Sequence, residues 1–134
     1  AIIHTTKRKI AADDYFKGMF ETALEPGEII VRVEFPKPRR AGYAKFPNPA
    51  SRYALVGVFV AETANGVRVA VTGAAPCVFR AKELEAALGR RFDSGALGGI
   101  KASDSGLNSD LHASAEYRAH LIGVMAKRAV QAAA

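Results

Sequence analysis

Cysteine is almost absent from this chain of 134 residues: Cys77 stands alone. One thiol excludes an internal disulfide and cannot supply the ligands of an iron–sulfur cluster or a Cys-rich zinc site. Histidine is scarce too. His4, His112 and His120 form neither an HExxH pattern nor an i,i+4 pair, so a zinc-hydrolase helix is excluded. No run of 18 or more apolar residues occurs, and the opening AIIHTTKRKI lacks the apolar stretch and cleavage site of a secretory signal. No membrane insertion and a cytoplasmic location are the expectations. The chain also lacks a GxxxxGK[ST] phosphate loop and a GxSxG elbow, and Gly95-Ala96-Leu97-Gly98-Gly99 does not fit GxGxxG. Cys77 follows Pro76 near a strand end, a setting that gives no reason to read it as a nucleophile.

What is present is an ordinary globular balance, 49% hydrophobic and 24% charged, with a formal net charge of +6. The basic clusters Lys7-Arg8-Lys9, Arg39-Arg40, Arg90-Arg91 and Lys127-Arg128 are scattered, separated by acidic residues and not interleaved with aromatics. That distribution predicts solvated surface and protein contact, without nucleic-acid binding.

Along the chain, Ile2 to Ile10 reads as a weak strand and loop. Ala12-Asp13-Asp14 offers an N-cap for a short helix through Tyr15 and Phe16 to Phe20. Leu24-Glu25-Pro26-Gly27 is a turn, and Glu28 to Phe35 alternates as a half-buried strand. Pro36-Lys37-Pro38 breaks the pattern and marks a boundary between residues 1–36 and 37–134. Gly42 to Phe46 predicts a strand that Pro47-Asn48-Pro49 ends. Tyr53 to Thr63 and Gly66 to Ala74 form a hairpin around Asn65-Gly66, expected as a type I′ turn. Ala81 to Leu88 is helical with Gly89 as the stop. Arg90 to Asn108 is irregular with room for one short helix. A final amphipathic helix follows Ser114, its apolar stripe on Tyr117, Leu121, Val124 and Met125. Asp13 and Asp14 read as capping residues, Glu83 and Glu85 as surface charge. The fold class is α+β: an antiparallel β-sheet of three to four strands with helices packed on one face.

Residues and spacing alone go no further than an α+β domain, and a stand-alone, non-catalytic interaction module with a basic surface is one reading of it. Several stretches, however, resemble a known family in collinear order. IAADDYFKGMFETALEPGEIIVRVEFP, GYAKF followed by PASRYALVGV, VRVAVTGAAPCVFRAKELEAAL, and above all DLHASAEYRAHL are similar to the FAD-binding medium subunits of aerobic carbon monoxide dehydrogenases and related molybdenum hydroxylases, including the flavin segment of xanthine dehydrogenases. The resemblance implies a carbon monoxide dehydrogenase flavoprotein C-terminal domain at residues 37–134, preceded by the tail of the second FAD-binding subdomain at 1–36.

The resemblance also implies a role in an FAD-dependent oxidoreductase complex. Electrons pass there from a molybdenum cofactor in a large subunit, through iron–sulfur clusters in a small subunit, to FAD. The family's FAD phosphates rest on glycine-rich loops that this sequence does not include, so tight FAD binding and activity are not expected of this chain alone. Two positions carry over as cofactor-binding candidates. Lys45 would stand near the isoalloxazine, where a cation stabilises a reduced flavin; its alternative is a strand-end surface lysine. Ile30 would pack on the flavin; its alternative is ordinary sheet packing. The chain departs from the family pattern at Pro47 and Pro49. With the apolar faces of residues 1–36 left uncovered, self-association is a further expectation.

Overall fold

Two β-rich segments on either side of Pro36-Lys37-Pro38 build separate sheets, and the chain divides into two compact units, Ala1–Lys37 and Pro38–Ala134. A computed structural model describes all residues from 1 to 134.

In the first unit, strands β1 (Ile2–Thr5), β2 (Lys9–Ala11) and β5 (Ile30–Glu34) form an antiparallel sheet in the order β2-β1-β5. The expected weak strand and loop is thus a hairpin of two strands. Helix α1 is a single turn, Ala12–Tyr15, and strands β3 (Phe16–Gly18) and β4 (Glu21–Thr22) pair immediately after it. The helix expected to reach Phe20 stops early because Phe16 is already extended and Phe20 takes φ 58 in the turn. Asp13 and Asp14 do not cap it; the N-cap position is Ala11, without a capping side chain. The turn at Glu25-Pro26-Gly27 forms as expected, with Gly27 at φ 73 and the Glu28 N–H donating to the Glu25 carbonyl.

A small core of Ile3, Ile10 and Tyr15 holds this unit. Strand β5, expected to be half-buried, is exposed along its whole length. Its alternation is genuine, but no second layer of the unit covers it.

A carboxylate cluster supplies much of the polar organisation of this unit. Glu28, buried, accepts from Arg8 Nε at 3.1 Å, Thr5 Oγ1 at 2.6 Å and the Glu25 N–H at 2.8 Å. These bonds, the one from Arg8 foremost, hold its carboxyl at about 2 against an ordinary 4.5.

The second unit is a four-stranded antiparallel sheet, ordered β6 (Arg40–Pro47), β7 (Ala54–Thr63), β8 (Gly66–Thr72) and β9 (Phe79–Arg80). Helices α2 (Lys82–Arg90) and α3 (Ala115–Gln131) pack on it, with a 3₁₀ turn at Ser94–Leu97 between them. The α+β class and the helix-covered sheet agree with the sequence expectation. Val56, Val58 and Val60 of β7 and Val67, Val69 and Val71 of β8 face the helices. There they meet Leu84, Leu88, Leu97, Ile122 and Met125 in one core. At Gly42 a Cβ would lie 2.0 Å from the Ala129 carbonyl, so glycine lets α3 approach the backbone of β6.

Four local expectations change. The hairpin forms, but Gly66 alone has positive φ (100°). The turn is therefore not type I′; one left-handed residue after the loop suffices. Helix α2 runs through Gly89 to Arg90, and nothing lies within 4 Å of a Cβ built at Gly89, an exposed site where a glycine can be carried without loss of packing. Glu85 is not surface charge: it accepts from Arg80 Nε at 2.7 Å and the Val69 N–H at 2.9 Å, tying α2 to β8 and β9. Burial pushes its carboxyl up, and the Arg80 and Val69 bonds more than reverse that, leaving it lowered. Tyr117 sits at the margin of the core, exposed and edge-on to Phe46 at 6.2 Å between centroids.

Candidate functional site

The alternation that sends Val56, Val58 and Val60 to the helices sends Gly57, Phe59 and Ala61 to the opposite face of β7. Register places Tyr43 opposite Phe59, and Phe59 opposite Ala70. The adjacent row is Lys45, Gly57 and Thr72. Lys45 therefore stands on the sheet face away from the helices, beside two half-exposed aromatic rings, Tyr43 and Phe59.

Gly57 gives this face its shape. A Cβ there would come within 2.6 Å of the Tyr43 hydroxyl and 2.9 Å of Thr72 Cγ2, so the Tyr43 side chain lies in the space a larger residue would fill. This face thus carries two exposed aromatic residues, Tyr43 and Phe59, with Lys45 in the neighbouring row. Lys45 is exposed, and its Nζ donates to the Arg52 carbonyl at 3.0 Å. An ammonium carries three donors, so two remain for a ligand.

The loop after Lys45 explains how that carbonyl is presented. The β6–β7 register shifts between Phe46 and Pro47. Buried Asn48 then accepts from the N–H groups of Ala50 (2.9 Å) and Ser51 (3.2 Å), an Asx-type turn. Arg52 takes φ 64 while its N–H donates to the Asn48 carbonyl. Pro47 thus ends β6, paired with Ala54 across the register shift, and Pro49 lies in the tight turn that brings the Arg52 carbonyl to Lys45.

Ile30, the other candidate, lies in the first unit at the start of β5 opposite Thr5, and is 40% exposed. It contributes to neither core cluster, and it shares its exposure with the rest of β5.

The second unit contains one buried cation that sequence reasoning missed. Arg118 is 3% exposed, and its Nη1 donates to the carbonyls of Leu55 (2.7 Å) and Gly73 (3.2 Å) and its Nη2 to Asp110 Oδ2 (2.8 Å). Its Nε has no protein partner. Asp110 also accepts from the His112 and Ala113 N–H groups, and these bonds, His112 foremost, hold its carboxyl below the usual range. Arg118 lies one turn before Ile122 on the core arc of α3; a charge on that arc was the available signal. It organises the end of the hairpin and the segment before α3.

The chain as a whole is similar to known proteins. Residues 41–133 match the model of the CO dehydrogenase flavoprotein C-terminal domain. The nicotine 6-hydroxylase medium subunit of Paenarthrobacter nicotinovorans is 34% identical, over 92% of this chain and 47% of its own. The carbon monoxide dehydrogenase medium chain of Afipia carboxidovorans is 33% identical, over 94% and 48%. The crystal structure of the Cu,Mo-CO dehydrogenase in its cyanide-inactivated form contains a chain that superposes with a TM-score of 0.73 at 28% identity, covering 98% of this chain and 51% of that one. This chain spans about half the length of these relatives. With the family match running almost from the start of β6 to the end of α3, the chain belongs to the CO dehydrogenase flavoprotein C-terminal domain family.

Proposed function

We propose that this chain is the C-terminal part of the FAD-binding medium subunit of a molybdenum hydroxylase, where its second unit forms a wall beside the flavin. The observation that carries the reading is the sheet face that Tyr43, Phe59 and Lys45 share, with the Tyr43 ring lying over Gly57. Two aromatic side chains suit the edge of a planar ring system, and the Lys45 ammonium suits negative charge gathering on that ring as it is reduced. FAD, when bound, supplies the electron-accepting chemistry; the residues here orient it and tune its charge. Ile30 supplies a further apolar contact to the flavin, with residues 1–36 as the tail of the second FAD-binding subdomain and 37–134 as the C-terminal domain.

The complex in which this occurs is an oxidoreductase with a large molybdenum-cofactor subunit and a small iron–sulfur subunit, and the chain contacts them as part of the route to FAD. Support comes from relatives that are themselves medium subunits of a nicotine 6-hydroxylase and a carbon monoxide dehydrogenase. The isolated chain is inactive and binds FAD weakly, because the pyrophosphate is held by residues outside it.

The test is a flavin fluorescence titration of this chain and of a version extended upstream to the full subunit. FAD binding by the extended form only is the expected result, and within that form Lys45→Ala lowers the flavin reduction potential, as loss of a nearby cation must. Tight binding by the short chain, or a potential unmoved by Lys45→Ala, would refute the assignment.

A further inference from the structure

Asn48 follows β6 between two prolines, and both restrict the chain around it. Pro49 disfavours helical backbone at Asn48, and Pro47 has no N–H with which to continue the ladder. Asn48 is nevertheless 7% exposed, and its groups close the loop on itself. Its Oδ1 accepts from the N–H groups of Ala50 and Ser51, its own N–H donates to the Tyr53 carbonyl at 2.7 Å, and its carbonyl accepts from the Arg52 N–H at 2.9 Å. Arg52 is thereby held at φ 64, a left-handed backbone that a residue with a side chain keeps only where its surroundings fix it. This conformation turns the Arg52 carbonyl to Lys45 Nζ, 3.0 Å away. All of these bonds lie within residues 45–53, so they hold whatever else packs around the domain.

We infer that Asn48 is a positioning residue for the Lys45 ammonium and, through it, helps to set the reduction potential of a flavin bound against this face. The inference rests on the flavin reading above and adds the device that gives its cation a fixed place. Lysine carries its charge on a flexible four-carbon stem, and an exposed, untethered ammonium stays in water at a varying distance from any neighbour. Coulomb attraction weakens with distance and with solvation, so a wandering cation stabilises a reduced ring poorly. Bound to the Arg52 carbonyl, Lys45 uses one donor to fix its position and keeps two for a partner. A charge already in place needs no rearrangement as electrons arrive on the ring. The Arg52 carbonyl can serve in this way only while the loop is closed. The Asn48 side chain closes it, because Oδ1 takes two N–H groups that neither β6 nor β7 pairs.

Two measurements test this. In the 134-residue chain, nitrogen NMR relaxation reads the mobility of the Lys45 ammonium. It is expected to be restrained in wild type and free in Asn48→Ala. Asn48→Ser, whose hydroxyl accepts from the same N–H groups, keeps most of the restraint. Amide spectra in which β7, β8 and α3 are unshifted show that the variants are folded. In the FAD-loaded full subunit, Asn48→Ala lowers the flavin potential by at least about half as much as Lys45→Ala does, and Asn48→Ser by less. Added to Lys45→Ala, Asn48→Ala changes the potential no further, because it acts through the ammonium. An ammonium as restrained in Asn48→Ala as in wild type would overturn the inference. So would an Asn48→Ala effect on the potential that persists without Lys45, or one that is absent while Lys45→Ala shows its own. A potential unmoved by Lys45→Ala is instead the failure of the flavin reading and removes the potential-setting role of Asn48 with it, while the relaxation data still decide whether Asn48 holds Lys45.

Discussion

Arg118 is a buried charge whose partners are mostly backbone, and that decides what its loss would do. Arg118→Met preserves much of the volume but takes from the Leu55 carbonyl the 2.7 Å bond of Nη1 and leaves the Gly73 carbonyl with only the long 3.5 Å bond from Asn108 Nδ2. Leaving buried acceptors unpaired costs more than the net worth of the bonds. Because Asp110 is 44% exposed at its side chain and recovers hydration, the expected loss is about 2–4 kcal/mol, read as a shift in urea midpoint at constant m-value. An unchanged midpoint would mean that the guanidinium only compensates for its own burial. Glu28 offers the complementary case of a carboxylate in the first unit. Its folded carboxyl titrates at about 2 and its ordinary one at 4.5, so the stability it contributes is fully present above about pH 4.5 and drains away as pH falls toward 2. Glu28→Gln removes this proton linkage. Acid titrations followed by chemical shifts of Thr5 and Arg8 are expected to show the dependence in wild type and not in the variant.

At the scale of elements, legibility followed how far each one is specified by its own residues. Strands β7 and β8 and helix α3 were readable because their apolar periodicity is long; Ser114 caps α3 as expected, accepting from the Tyr117 N–H at 3.2 Å. Short elements were not. Strand β9, two residues long, exists because Arg80 and Phe79 pair with Ala70 and Val71, a tertiary fact with no local signal. The helix carried to Phe20 failed for a similar reason, since pairing of β3 with β4 outweighs the weak preference of a single turn. The near-continuous apolar run of β7 also concealed that Phe59 and Gly57 belong to the other face. Of the candidate site, Lys45 was found through resemblance, whereas Tyr43 and Phe59 needed the register. The buried partners of Glu85 and Arg118 were invisible because carboxylates and guanidinium groups are buried only where a partner from another element meets them.

For the molecule as a whole, the two units are unequal. The first, Ala1–Lys37, has three buried apolar side chains in its core, and the second a continuous cluster spanning sheet and helices. A segment below about 40 residues rarely sustains itself without staples or association. Amide hydrogen exchange is therefore expected to be fast across the first unit and slow in β7, β8 and α3. Equal protection in both units would contradict this.

The bonds of Arg118 have one more implication, for the order of events in folding. Leu55, Gly73 and Asp110 lie 63, 45 and 8 positions away in the chain. A guanidinium can meet all three only after the β7–β8 hairpin has closed and α3 has docked on it, which makes these among the last contacts formed on the way to the native state. Contacts absent from the transition state govern the rate of escape, not of arrival. Arg118 is then a latch: its removal quickens unfolding while folding proceeds at nearly its former pace, and the persistence of the domain over time rests on a side chain that has little part in assembling it.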